Sequence, residues 1–229
     1  MGKLIEYRTA SLKPSDTTDD EEVGVEAAAL PPLEVGINNF WEPGTELKDD
    51  KIEGCLPMVK WNLEDIAYRV NRSVADVARY ALHIGIDRLW TLPGIGELRE
   101  IKSFVHHNSQ DADDRRWFDH GAFDLGSSDT VTLRSRLLQK DVAQCASLAS
   151  AVGLRPPLVR QLAIMAGLIQ SQNIPVEHSN QMVETLRRFR EWIEDRLEKA
   201  RRLRAQVEGK AESRPRLAGP RKAWDDVIR

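Results

Sequence analysis

The sequence predicts a mainly α protein: one or two short strand–helix–helix units, a long C-terminal helix and a disordered acidic N-terminal arm. Three observations carry this. Residues Thr130 to Gln170 read as a strand followed by two helices joined at a glycine. Residues His178 to Glu208 hold an apolar stripe at helical spacing. Residues 1–53 are rich in acid and interrupted by proline.

Taken in order, residues 1–53 are expected to be a disordered acidic arm. Asp16 to Glu26 is acidic, and Leu30-Pro-Pro-Leu33 blocks helix continuation. Within the arm, Ile37-Asn-Asn-Phe-Trp-Glu-Pro-Gly44 is either a docking peptide for a protein partner or a cover for an apolar patch of its own domain. Residues 54–92 form a first ordered unit. Pro57 to Leu63 alternates, with Val59, Trp61 and Leu63 on one face and Lys60 and Asn62 on the other. A helix over Glu64–Val70 follows. After a break at Asn71-Arg72 comes a helix over Val74–Trp90, with Ser73 as its N-cap and Gly85 as a possible interruption. Residues 93–128 are a connector, with a short helix over Glu97–Val105 and then a long polar stretch.

Residues 129–174 are the clearest unit. In Thr130–Leu137, period-two spacing puts Leu133, Ser135 and Leu137 on one face and Thr132, Arg134 and Arg136 on the other. The next helix carries Leu138, Val142, Cys145, Leu148 and Val152 on its apolar face and ends at Gly153. A second helix runs through Leu158, Leu162, Met165 and Ile169, with Pro156 and Pro157 tolerated in its first turn. In residues 175–209, Leu186, Phe189, Ile193, Leu197 and Ala200 form the long helix's stripe, and many arginines give it a basic surface. The spacing predicts packing on the body or a short helix pairing. Residues 210–229 read as a disordered basic tail with Trp224 as a possible anchor.

The net charge of −3 conceals an asymmetry. Residues 1–53 hold 5 Lys/Arg against 13 Asp/Glu, a net of −8, whereas residues 129–229 hold 19 against 12, a net of +7. A basic body with an acidic arm predicts a polyanion-binding surface. Two cysteines make no disulfide framework, so a reducing compartment is expected. The N-terminus has no apolar core of a signal peptide, and no run approaches a membrane span. Cytoplasmic or nucleoid-associated localisation follows. His106, His107 and His120 near several aspartates match no metal-ligand spacing. No phosphate loop and no nucleophile–base arrangement stands out. A binder rather than an enzyme is therefore expected, with no catalytic residues, no metal and no cofactor.

The order strand, helix, glycine turn, helix over residues 130–170 resembles the ribbon–helix–helix superfamily of DNA-binding proteins, the Arc/MetJ-like repressors. The resemblance implies sequence-specific binding to double-stranded DNA, as a transcriptional regulator or a plasmid-partition or antitoxin component. It implies base contacts from Thr132, Arg134 and Arg136 in the major groove, and phosphate contacts at helix starts near Ser73 and Arg155. For residues 54–92 two DNA-binding readings stand beside that of a plain helical packing unit. One is a degenerate second unit, with Lys60 and Asn62 on its ribbon and Arg72 and Ser73 at the phosphate-holding turn. It leaves only Glu64–Val70 for the first helix. The other is a helix-turn-helix, with recognition through Arg72, Ser73, Ala75, Asp76 and Arg79. Because a lone ribbon strand needs a partner and the long helix offers a stripe, a homo-oligomer is expected. The alternative function is a protein-interaction or assembly adaptor using the C-terminal helix and the acidic arm.

Overall fold

A computed structural model describes residues 33–37, 40, 46–126 and 129–212. Helices dominate them: α1 Leu33–Gly36, α2 Pro57–Val70, α3 Val74–Trp90, α4 Ile95–Asn108, α5 Ala112–Asp119, α6 Gln139–Val152, α7 Pro156–Leu168 and α8 Val176–Glu212. Two strands, β1 Leu47–Cys55 and β2 Val131–Leu138, form an antiparallel ribbon.

The strand expected over Met58–Leu63 is the opening of α2 instead. Pro57 occupies the first helical turn, where its missing N–H costs nothing. Val59, Leu63, Ile66 and Ala67 then fall at helical spacing and are buried, while Trp61 is exposed. α2 therefore has 14 residues, the same as α6. The strand that precedes it is β1, which lies in a stretch expected to be disordered.

The two strand–helix–helix segments repeat at an offset of 82 residues, which maps Pro57 onto Gln139, Val70 onto Val152, Asn71 onto Gly153 and Val74 onto Pro156. Both turns use the left-handed conformation, at Asn71 (φ 52°) and Gly153 (φ 76°). Both close with the same backbone bond, Arg72 N–H to Ala67 O at 3.0 Å and Leu154 N–H to Ala149 O at 2.9 Å. The same offset maps Gly85 onto Gly167, and these are where α3 crosses α7. A Cβ on Gly85 would sit 1.7 Å from the Ala163 carbonyl oxygen, and one on Gly167 would sit 2.0 Å from that of Ala81. Gly85 does not interrupt α3; it lets two backbones touch.

The ribbon lies across this pair. Its register places Leu47 opposite Leu138, Asp49 opposite Arg136, Lys51 opposite Arg134 and Ile52 opposite Leu133, with an irregularity between Ile52 and Cys55. On β2, Leu133, Ser135 and Leu137 face the core. Ser135 Oγ donates to the Ala75 carbonyl at 3.3 Å, and Arg79 Nε donates to the Arg136 carbonyl at 2.6 Å. α3 thus holds β2 from below by polar as well as apolar contact.

The remaining elements wrap this centre. α8 is 37 residues long, and Met182, Phe189, Ile193, Leu197, Ala200 and Val207 are buried on the body. Arg196, nearly buried, donates to the Trp117 and Phe118 carbonyls, with its guanidinium 4.4 Å from the Trp117 ring centre. Part of the connector is helical, as α5. The arm is not wholly disordered either, because Leu33 and Ile37 are buried and Glu34 bonds Ser171 and Arg69. Phe40 packs 4.8 Å from Tyr80 and 5.0 Å from His83, so this half of the aromatic pair covers its own domain. Trp41, residues 1–32 and Trp224 lie outside the described residues. Of the tail expected from residue 210, the described part, 210–212, continues α8. No helix among the described residues is long and apolar enough to cross a membrane.

Two outcomes test this packing. Gly85→Ala and Gly167→Ala should each destabilise by about 1–3 kcal/mol or more through overpacking, despite alanine's better helix propensity. Gly96, with nothing within 4 Å of an added Cβ, is the control. Gly96→Ala should be neutral or stabilising, and urea midpoints compare the three. Separately, burial pushes the Cys55 thiol up to about 11. Iodoacetamide at pH 8 should therefore label folded Cys55 at least roughly 100-fold more slowly than the unfolded chain; equal rates would mean the site is open.

Candidate nucleic-acid interface

The exposed face of β2 carries Thr132, Arg134 and Arg136. They point outward because the alternate positions, Leu133, Ser135 and Leu137, are committed to the core. Arg134 makes no hydrogen bond or ion pair with another described residue. The backbone beneath is held from below: Arg79 is 3% exposed and its side chain grips the Arg136 carbonyl. Burial lowers the Arg79 pKa, and Asp76, 3.3 Å away, opposes that shift. The ribbon is thus a supported platform presenting two guanidinium groups and a hydroxyl.

The helix starts differ from each other. At α3, Ser73 Oγ accepts from the Asp76 N–H at 3.1 Å, and Arg72 is exposed beside it. Val74 and Ala75 supply the first-turn amides. At α7 those places belong to Pro156 and Pro157, which have no N–H. The phosphate grip expected at Arg155 is there reduced to its exposed side chain. Lys140, not singled out from the sequence, is exposed in the first turn of α6, immediately after β2. Arg72, Lys140 and Arg155 also have no hydrogen bond or ion pair to another described residue. The only sequence signal for Lys140 is its position two residues past the ribbon's end.

Two expected base contacts are corrected. Lys60 and Asn62 are on α2, not on a ribbon. Asn62 is buried and donates from Nδ2 to the Met58 carbonyl at 2.8 Å, with its Oδ1 3.4 Å from His178 Nδ1. Lys60 lies 3.6 Å from Glu64 on the same helix. The helix-turn-helix reading of α2 and α3 also fails. Its recognition surface includes Ala75 and Arg79, and both are engaged by β2.

The basic surface expected on α8 is largely neutralised. Arg187 pairs with Glu184 and Glu191, Arg190 with Glu194, Lys199 with Asp195, Arg202 with Glu198 and Arg204 with Glu208. Arg201 reaches across to Glu97 on α4 at 2.6 Å, and this guanidinium lowers the Glu97 pKa. In the connector, Lys102 Nζ lies 2.8 Å from Asp119 and holds that carboxyl below its usual range, while His106 sits 3.7 Å away. Among the described residues no group of three His, Cys, Asp or Glu is placed to hold a metal ion.

Both grounds for expecting a homo-oligomer are met inside the chain. β2 has its partner in β1, and the α8 stripe lies on the body. Compared with known proteins, the chain matches no family model, no curated protein and no solved structure.

Proposed function

We propose that the chain is a sequence-specific double-stranded DNA-binding protein of ribbon–helix–helix type, acting as a transcriptional regulator or a plasmid-partition or antitoxin component. The observation carrying this reading is the supported antiparallel ribbon with Thr132, Arg134 and Arg136 on its solvent face. A two-stranded ribbon fits a major groove, and arginine donates in bidentate fashion to guanine O6 and N7. The repeated strand–helix–helix order and the matched turns at Asn71 and Gly153 support it further. In this mechanism Arg134 and Arg136 read guanines and Thr132 contacts a base edge or methyl group. Arg72, the α3 start at Ser73, Lys140 and the Arg155 side chain hold phosphates and fix the ribbon's depth. The assembly-adaptor alternative has less to stand on, because the α8 stripe is spent on the body.

Mobility-shift titrations test this. Arg134→Ala and Arg136→Ala should each cost about 1–3 kcal/mol of discrimination between the preferred duplex and a mismatched one. Their urea midpoints should stay at the wild-type value, because both side chains are exposed. Lys140→Ala and Arg155→Ala should weaken all duplexes alike and lower the salt slope by roughly 1 each. Wild-type discrimination in the Arg134/Arg136 double variant would reject the ribbon as the reading element.

The acidic segment ahead of α1 makes a further prediction. Residues 1–32 hold 3 Lys/Arg and 7 Asp/Glu. Deleting residues 1–30 leaves Leu33, Ile37 and β1 in place and should raise non-specific affinity, most at low salt. Unchanged affinity at low ionic strength would assign the segment no electrostatic part in binding.

A further inference from the structure

The ribbon joins two strands whose sequences do not match. β2 alternates Thr132, Arg134 and Arg136, whereas β1, Leu47-Lys-Asp-Asp-Lys-Ile-Glu-Gly-Cys55, contains no arginine. The register sets Lys51 opposite Arg134 and Asp49 opposite Arg136. The irregularity between Ile52 and Cys55 falls opposite Leu133 to Val131, so β1 carries one residue more than β2 over that span. Beneath the ribbon the helices do match: equal first helices, equal turns and glycines facing glycines. The strand–helix–helix order repeats; the sequences of the two strands do not.

A ribbon made of two identical strands offers the same donors to both halves of its site, and therefore selects a palindrome. Here only β2 brings a pair of arginines, and β1 contains none. We infer that a single copy of this chain reads a non-palindromic duplex site, with guanine contacts concentrated on the half facing β2. This rests on the DNA-binding reading above. One copy suffices because the second strand is internal.

The test is selection of bound duplexes from a random pool by the full chain, followed by native mass spectrometry of the complex with the winning duplex. The expected result is a motif without internal two-fold symmetry, held by one chain per duplex. Arg136→Ala should then lose preference by roughly tenfold on one side of the motif only, leaving the other side unchanged. A palindromic motif occupied by two chains would overturn the inference and leave DNA binding standing. So would symmetrical loss of preference in Arg136→Ala. A chain that enriches no sequence, with its fold verified by circular dichroism, would overturn both readings.

Discussion

Backbone-to-backbone contact where α3 crosses α7 governs the geometry above it. With hydrogen in place of a side chain at Gly85 and Gly167, each helix lies against the other's carbonyl groups. The residues whose carbonyls they meet, Ala163 and Ala81, are small and fully buried. Such close approach makes the crossing stiff, since a displaced helix meets main chain rather than a side chain able to change rotamer. The strands inherit that stiffness. Arg79 and Ala75, on the turns of α3 ahead of the crossing, hold β2 by its backbone and by Ser135. The direction of Arg134 and Arg136 is set several layers below them.

How far the sequence discloses this depends on where the deciding residues lie. The β2–α6–α7 unit is legible because its signals are local: clean alternation, then a helical stripe, then Gly153. The start of α2 is not. Val59, Trp61 and Leu63 satisfy a period of two, while Val59 and Leu63 also satisfy a helical period, and only Ile66 and Ala67 beyond them decide. Lys60 and Asn62 go with that ambiguity, since their placement follows from whether this stretch is strand or helix. β1 is the least legible element. Leu47-Lys-Asp-Asp-Lys-Ile-Glu-Gly-Cys55 is poor in strand formers and becomes a strand because β2 supplies its hydrogen-bond partners. Gly85 resembles a defect until Gly167, 82 residues away, is seen against the same seam. Of the candidate interface, the β2 triad was readable and Lys140 was not, since nothing in its own neighbourhood separates it from any exposed lysine.

Charge shows the same contrast between composition and arrangement. The excess of Lys and Arg after residue 129 looks like a basic field, yet on α8 most of it is met by carboxylates one helical turn away. Exposed pairs of this kind contribute little to stability. Their larger effect is to flatten the potential of that helix. Attraction for a polyanion then depends on the cations left outside such pairs, and Arg72, Arg134, Lys140 and Arg155 belong to the ribbon and the helix ends beside it.

Because both strands of the ribbon belong to one polypeptide, its assembly does not depend on dilution. A repressor built from two separate chains loses its folded form as protomers become scarce. Here the second strand is always present at the effective concentration set by the intervening chain. A cell holding a handful of copies would keep the ribbon of each one paired. The same linkage favours pairing within one chain over pairing with a second copy.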